Sequence, residues 1–428
     1  MIFGFLGVIL IGTILLALPI SHKDGQSLSI IDSFFISTSA VCVTGLSSVN
    51  VSEVFSVFGK IVLALLIEIG GLGFVTVVMF VIILLGKKID IKNRVIIKEA
   101  LNQEKLSGVV KLVKKIFITT IIIQLIGACV NFIVFIQEYD FLDALGISIF
   151  HSISAFNNAG FDLFGSESII KYTDNIIINI NTMALIILGG IGFIVIFDIL
   201  DKKKPSRYTI YTKIVLKTTF ALLVIGTILI KLSSYELLTW HEALFTSVTT
   251  RTAGFATVDM SKLSSATLLL IMCLMFIGAS PTSTGGGVKT TTIFIIINSI
   301  KSFIYGKKDI IVENRKISKN SLNKAHVLVI FALLFVIIIT FLVALCESIC
   351  GSDMTIEQIA FESVSAFGTV GLSMGITSKL SSVSKIILCI AMFFGRLGPI
   401  TMMSALHNIS TRDEDSHLKY VEENIIIG

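Results

Sequence analysis

Four short turns have the composition and spacing to bind a dehydrated cation: SAVCVTGLS (Ser39 to Ser47), SAFNNAGFD (Ser154 to Asp162), VTTRTAGFA (Val248 to Ala256) and SAFGTVGLS (Ser365 to Ser373). They align on Gly45, Gly160, Gly254 and Gly371. A small hydroxyl residue precedes each glycine by eight places (Ser37, Ser152, Thr246, Ser363), and a large apolar one follows it (Leu46, Phe161, Phe255, Leu372). Glycine adopts φ > 0 at little cost and lets one backbone approach another closely. Turns gathered about one axis would point main-chain carbonyls into a shared passage, and rings of such oxygens replace the hydration shell of a monovalent cation.

A second landmark follows each turn. Gly70-Gly71-Leu72-Gly73-Phe74 and Gly189-Gly190-Ile191-Gly192-Phe193 follow the first two, and Gly278 and Gly395-Arg396-Leu397-Gly398-Pro399 take that place after the third and fourth. The offsets from the turn glycine are 25, 29, 24 and 24 residues. Two landmarks in register, four times over, imply four equivalent structural units.

The elements that would position these turns follow from composition. With 54% hydrophobic residues, 15% charged residues and a mean hydropathy of +0.93, the 428-residue chain has too little polar surface for a soluble protein. Apolar runs long enough to cross about 30 Å of hydrocarbon fall near 2–20, 58–86, 113–137, 176–200, 210–232, 263–304, 325–347 and 381–406. Between the members of each pair lies a shorter stretch, near 30–42, 142–156, 238–250 and 356–367, which leads into a glycine turn. These fit re-entrant half-helices, since irregular backbone at membrane depth is tolerated only inside protein or along a water-filled cavity. Asp32, Asp143, Glu242 and Glu357 stand at their starts and read as capping or first-turn acids. The half-helices' C-terminal ends, carrying partial negative charge, would face the passage and favour a cation.

Charge sets the orientation. Nine basic residues lie between Lys87 and Lys115, six between Lys202 and Lys217 and seven between Lys301 and Lys324, 22 of the 34 in the chain, which puts these connectors in the cytoplasm. Both termini then lie in the cytoplasm, Met1 opening on a retained first span. Interspersed acids (Asp90, Glu99, Glu104, Asp201) and the lack of interleaved aromatics argue for topology and lipid contact rather than nucleic acid. The six cysteines show no metal-ligand spacing and read as small hydrophobes, and no nucleophile-and-base or paired-carboxylate pattern suggests an enzyme.

Three further features stand near the turns. Gly278-Ala279-Ser280-Pro281-Thr282-Ser283-Thr284-Gly285-Gly286-Gly287-Val288-Lys289-Thr290 interrupts the sixth span, and its proline and glycines would break a helix. Arg396 sits at membrane depth, where an ionisable group faces a cavity or a partner; pairing with carbonyls freed by the broken segment is one reading. Arg251 is expected to brace the third turn, Asp162 to hold the second or draw cations to its mouth, and Trp240, His241 and His151 to serve as interfacial or packing residues.

The four tandem turns, the paired spans and the glycine-rich break resemble the Trk/Ktr/HKT superfamily of potassium transport proteins, most closely the KtrB-type membrane subunits of bacterial Ktr systems, over nearly the whole chain. The resemblance implies an all-α integral membrane fold of four M1–P-loop–M2 repeats in pseudo-fourfold arrangement around a central pore, with eight transmembrane helices and four re-entrant half-helices. The repeats would be 1–86, 113–200, 210–304 and 325–409, the cytoplasmic connectors 87–115, 201–209 and 305–324, and the cytoplasmic tail 410–428. A K⁺ filter would be formed by the backbone of Val43, Thr44 and Gly45, Asn158, Ala159 and Gly160, Thr252, Ala253 and Gly254, and Thr369, Val370 and Gly371. A mobile intramembrane loop, 278–290 with Gly278 to Gly287 and Lys289, would obstruct the passage, and Arg396 would add a positive barrier. It further implies gated K⁺ uptake in a bacterial cell membrane, a homodimer, and a cytosolic RCK ring of the KtrA or TrkA kind carrying ATP, ADP or NAD. An alternating-access symporter coupled to Na⁺ or H⁺ is the competing class.

Overall fold

The computed structural model describes residues 2–87, 90, 94–95, 98, 108–165, 168–202, 204–307 and 309–398. The expected tail 410–428, much of connector 87–115, Pro399 and the end of the last span to 406 lie outside these. Among the described residues, fifteen helices of ten or more residues carry the architecture: α1 Ile2–Ala17, α2 Ile30–Val41, α3 Val57–Leu72, α4 Phe74–Leu84, α5 Val109–Phe135, α6 Phe141–Asn157, α7 Ile176–Ile191, α8 Phe193–Lys202, α9 Ile210–Ser233, α10 Trp240–Thr249, α11 Ser265–Phe276, α12 Thr290–Ile304, α13 Lys319–Ile349, α14 Ile356–Gly368 and α15 Ser382–Leu397. Strands Ile311–Val312 and Arg315–Lys316 form a small antiparallel hairpin within the third basic connector, turning at Glu313 and Asn314, both with φ > 0.

The helices start where local chemistry directs. α3, α7, α11 and α15 each open on a polar cap, Ser56, Asn175, Ser264 or Ser381, whose side chain accepts from the backbone N–H three residues on. The half-helices α2, α10 and α14 open on Ser29, Thr239 and Thr355 in the same way, the last two as full capping boxes. The caps of these three half-helices are therefore hydroxyl residues, while Asp140 at the start of α6 makes no side-chain cap bond. The expected acids Asp32, Asp143, Glu242 and Glu357 lie in the first turn, where they complement the helix dipole.

The long spans differ from expectation in continuity. Among the described residues, α5, α9 and α13 are long and apolar enough to cross a membrane singly, and α3 with α4 and α7 with α8 would make five crossings, not eight, if each bent pair counts as one span. α3 and α4 meet at 102° and α7 and α8 at 96°. The hinges are Gly73 (φ 83°) and Gly192 (φ 91°), and Gly398 (φ 80°) ends α15 in the same conformation. The sixth expected span is split into α11 and α12 by residues 277–289. α1, at 16 residues, is shorter than a full crossing. Ile121, Leu125, Ile225, Leu229, Ile337 and Phe341 are exposed on α5, α9 and α13, as suits faces turned to lipid.

Packing closes a cycle. Beyond the neighbours adjacent in sequence, α3 packs on α6, α7 on α10, α11 on α14 and α15 on α2. Each half-helix is thus held against the helix that follows the preceding glycine turn, and the last is carried back onto the first. Small residues make room for this: a side chain at Gly12 or Gly127 would collide with the Ser37 or Ser152 hydroxyl, which donate to Ile9 O and Gln124 O at 2.7 Å. Against α9 the matching donor is Ser247, to Leu223 O at 3.1 Å, rather than Thr246, which stands eight places before Gly254, and Ser363 bonds within its own helix.

Candidate functional site

The four glycine turns meet. A Cβ built on Gly45 would stand 3.0 Å from Gly160 Cα, one on Gly160 3.0 Å from Gly254 Cα, one on Gly254 3.1 Å from Gly371 Cα and one on Gly371 3.1 Å from Gly45 Cα. Each such Cβ would also strike the carbonyl oxygen just before the next glycine, at Ala159, Ala253, Val370 and Thr44 in turn. No residue other than glycine fits this ring.

The local conformation is the same in all four. Val43, Asn158, Thr252 and Thr369, two places before the glycines, have φ of 57°, 59°, 72° and 52°, and the glycines have φ of 97°, 67°, 80° and 94°. Thr44, Ala159, Ala253 and Val370 between them keep negative φ. Alternating the sign of φ turns successive carbonyls to one side of the chain, whereas an ordinary strand points them to opposite sides. A bulky L-residue at φ > 0 is strained, and strain of this kind persists only where the surroundings enforce it.

The sequence held a signal for what enforces it. Ser39, Ser154 and Ser365 each stand six places before a glycine, and their carbonyls accept from Thr44, Ala159 and Val370 N–H at 2.8, 2.8 and 2.9 Å. The Ser39 and Ser365 hydroxyls also accept from Gly45 and Gly371 N–H at 3.1 and 3.0 Å. The third turn departs from this: Ala253 N–H reaches Thr249 O at 3.0 Å, and the Thr249 hydroxyl donates to Phe255 O at 2.7 Å. Asn158 and Thr252 link neighbouring turns, amide to hydroxyl, at 3.1 Å.

One side of the ring opens into a cavity of 1040 Å³ lined by all four glycines together with Asp162, Asp174, Glu242, Asp259 and Lys262. Asp162 accepts from Phe164 N–H at 3.1 Å and so holds the segment leaving the second turn while facing this mouth. The Ser261 hydroxyl and N–H keep the Asp259 carboxyl below its usual range, so this mouth residue is anionic at neutral pH.

The glycine-rich segment lies on the other side of the ring. Gly286 N–H donates to the Thr369 hydroxyl at 2.9 Å, and the Thr284 hydroxyl donates to Phe156 O at 3.3 Å. Ser280 and Thr284 N–H reach Gly190 and Gly189 carbonyls at 3.0 and 3.3 Å, and Tyr211 O–H holds Pro281 O at 2.8 Å. Gly278 faces Gly286, so it closes the base of this loop. It does not repeat the role of Gly70, Gly189 and Gly395, where a Cβ would strike Val41, Phe156 or Phe367 carbonyls at the half-helix ends. Lys289 Nζ bonds Gly285 O at 2.7 Å within the loop. The Arg396 guanidinium donates to the carbonyls of Thr284, Gly70 and, at 2.9 Å, Gly71.

Other expected neighbours are placed individually. Arg251 is buried beside the third turn, with its Nε unpartnered. His151 is buried against Phe135, Phe164 and Phe255, with Nε2 2.9 Å from the Thr182 hydroxyl, whereas Trp240 is exposed. The six cysteines are free. Sequence reading passed over Glu68, which accepts from Asn157 and Gln124 at 2.6 and 2.8 Å, and over Lys385, which bridges to Asp32 at 2.8 Å.

Comparison with known proteins identifies the family. The model of the TrkH family, described as cation transport protein, matches residues 5–410. Ktr system potassium uptake protein B of Bacillus subtilis (strain 168) is 37% identical over 99% of this chain and 95% of its own length. Potassium/sodium uptake protein NtpJ of Enterococcus hirae is 39% identical over 99% and 96%. The crystal structure of the potassium transporter TrkH from Vibrio parahaemolyticus shares the fold, with a TM-score of 0.73 at 19% identity, covering 95% of this chain and 85% of that one. With the family model matching residues 5–410 and relatives 37% and 39% identical over 99% of its length, the chain belongs to the TrkH family of cation transport proteins.

Proposed function

We propose that this protein takes up potassium across the bacterial cell membrane through a gated pore built from four M1–P–M2 units. The observation that carries this reading is the cyclic meeting of Gly45, Gly160, Gly254 and Gly371, each backed by the carbonyl before the next. Such a ring offers a cation oxygens and no positive charge, and half-helix C-termini converge behind it. The backbone of residues 43–45, 158–160, 252–254 and 369–371 would form the filter. The loop 278–290, held by Arg396, would bar the inner side until it moves. The names of the relatives, a potassium uptake protein and a potassium/sodium uptake protein, supply the ion and leave Na⁺ as its natural competitor.

A cytosolic nucleotide-binding ring on the basic connectors, a homodimer and cytoplasmic termini complete the proposal. They rest on the printed name of a Ktr system protein and on the distribution of Lys and Arg. One observation favours the alternative of alternating-access symport: Glu68 and Glu362 lie inside helices α3 and α14, which this reading places in the membrane, where carboxylates often serve ion coupling. Purified protein in liposomes decides between them. Uptake of ⁸⁶Rb⁺ down its gradient without a second ion supports the pore; uptake that requires Na⁺ or H⁺ on the same side supports the symporter; no uptake at all refutes both.

A further inference from the structure

Glu362 lies in the half-helix α14, nine residues before Gly371, and is fully buried. The equivalent positions are Ile36 in the first unit, His151 in the second and, because the third half-helix joins its turn one residue sooner, Thr246 in the third. Ile36 is apolar and just as buried, so packing alone accepts a hydrocarbon side chain at this place in the first unit. A buried carboxyl group is costly to desolvate and is stable only with hydrogen-bond partners of its own. Its retention needs a use.

The use lies in proton bookkeeping just beyond the glycine. Ser373, two residues after Gly371, donates its hydroxyl proton to Glu362 Oε1, and Thr377 donates to the same oxygen at 3.1 Å. A serine hydroxyl has one proton and two lone pairs. With the proton committed to Glu362, the Ser373 oxygen is turned to accept from Gly375 N–H at 2.9 Å. Gly375 has φ 79°, so this bond fixes the reversal of the chain as it leaves the turn and lines the mouth cavity. The second unit reaches the same end differently: Asp162, at the position of Ser373, accepts directly from Phe164 N–H, at the position of Gly375. An aspartate needs no orienting group, having only acceptors; a serine does.

We infer that Glu362 is a positioning residue for ion selection: by fixing the Ser373 hydroxyl it locks the segment 372–377 and, through it, the Val370 and Gly371 carbonyls of the fourth turn. The inference rests on the proposed pore, and its test keeps the two apart. In Glu362→Gln the amide oxygen still accepts from Ser373 and Thr377, whereas in Glu362→Leu nothing does.

Two measurements on the purified full-length protein are needed. Hydrogen exchange requires no transport activity: residues 371–378 exchange at least about tenfold faster in Glu362→Leu than in wild type, the loss expected when the two hydrogen bonds to Glu362 Oε1 are removed, and near the wild-type rate in Glu362→Gln. In liposomes, the ratio of ⁸⁶Rb⁺ to ²²Na⁺ uptake falls by about tenfold in Glu362→Leu and is restored in Glu362→Gln. Unchanged exchange of this segment in a folded Glu362→Leu protein overturns the inference whether or not the protein transports. Faster exchange with an unaltered uptake ratio also overturns it, because the carboxylate would then stabilise the fold without acting on selection. Absence of uptake in wild type would refute the pore and leave the exchange result to judge the brace.

Discussion

The Arg396 guanidinium donates to the Thr284 carbonyl, tying the end of α15 to the glycine-rich loop 112 residues earlier in the chain. The same guanidinium holds the Gly70 and Gly71 carbonyls at the end of α3. One cation thus fastens the loop between the first and last units, directly beneath the glycine ring.

Removing that fastening should free the loop. Arg396→Ala is expected to raise basal ⁸⁶Rb⁺ uptake into liposomes by at least about tenfold, since each hydrogen bond from a charged donor contributes roughly 1.5–3 kcal/mol. Deletion of residues 282–287 should act in the same direction. A flux equal to or below that of wild type in folded protein would show that the loop does not obstruct the passage.

The glycine ring should tolerate no side chain. In Gly371→Ala the new methyl meets the Thr44 carbonyl, and in Gly254→Ser the new side chain meets that of Val370, at φ of 94° and 80°. Left-handed backbone costs an L-residue roughly 1–2 kcal/mol before any collision. Both variants should lose most Rb⁺ over Na⁺ discrimination in a paired ⁸⁶Rb⁺ and ²²Na⁺ assay; full retention of the wild-type ratio would place selection elsewhere.

The junction of the last and first units depends on a largely buried ion pair. Lys385 on α15 and Asp32 on α2 lie 2.8 Å apart with side-chain exposures of 11% and 21%. Asp32→Asn leaves the ammonium without its anion, a loss of about 1–3 kcal/mol for a pair of intermediate burial. Thermal unfolding in detergent should move down by several degrees, and the double variant with Lys385→Met should recover part of the loss. Equal melting temperatures for wild type and Asp32→Asn would assign the pair no structural weight.

Acid should loosen the contact between Glu138, just ahead of α6, and the short 3₁₀ turn Ile170–Tyr172. The Lys171 ammonium, then the Tyr172 hydroxyl, hold the Glu138 carboxyl below its usual range of about 4.5. A carboxyl with a lowered folded pKa contributes stability that is present above its unfolded pKa and is lost as pH falls through the folded value. The window is therefore below about pH 4.5, and solvent screening at this exposed site limits the effect to roughly 0.5 kcal/mol. Glu138→Gln should flatten the acid limb of a stability-against-pH curve by that amount; an identical limb would discount the pair.

The glycine turns and half-helices were legible in the sequence because their requirements are local. A glycine that must adopt φ > 0 at a close approach leaves a mark wherever it recurs, and Ser37 and Ser152 recur with it. The sharp bends at Gly73 and Gly192 were not legible as bends. Unbroken apolar sequence on both sides satisfies a span-length criterion whether the helix runs straight or turns by about 100°. Ser247 took the expected place of Thr246 because α10 joins its turn through a bond from Ala253 to Thr249, one residue shorter than in the other units. Glu68, Glu362 and the Lys385–Asp32 pair were hidden for a different reason: their partners are set by tertiary packing, and a lone charge within an apolar run does not say which helix it faces.

The return of α15 onto α2 also bears on biosynthesis. Asp32 meets Lys385 across 353 residues, so at roughly 5–20 residues per second the ribosome delivers the second about 20–70 s after the first. Until then α2 lacks its α15 neighbour and Asp32 lacks its ammonium partner. The order of its own helices thus gives the nascent chain an unavoidable interval in which α2 is incompletely packed.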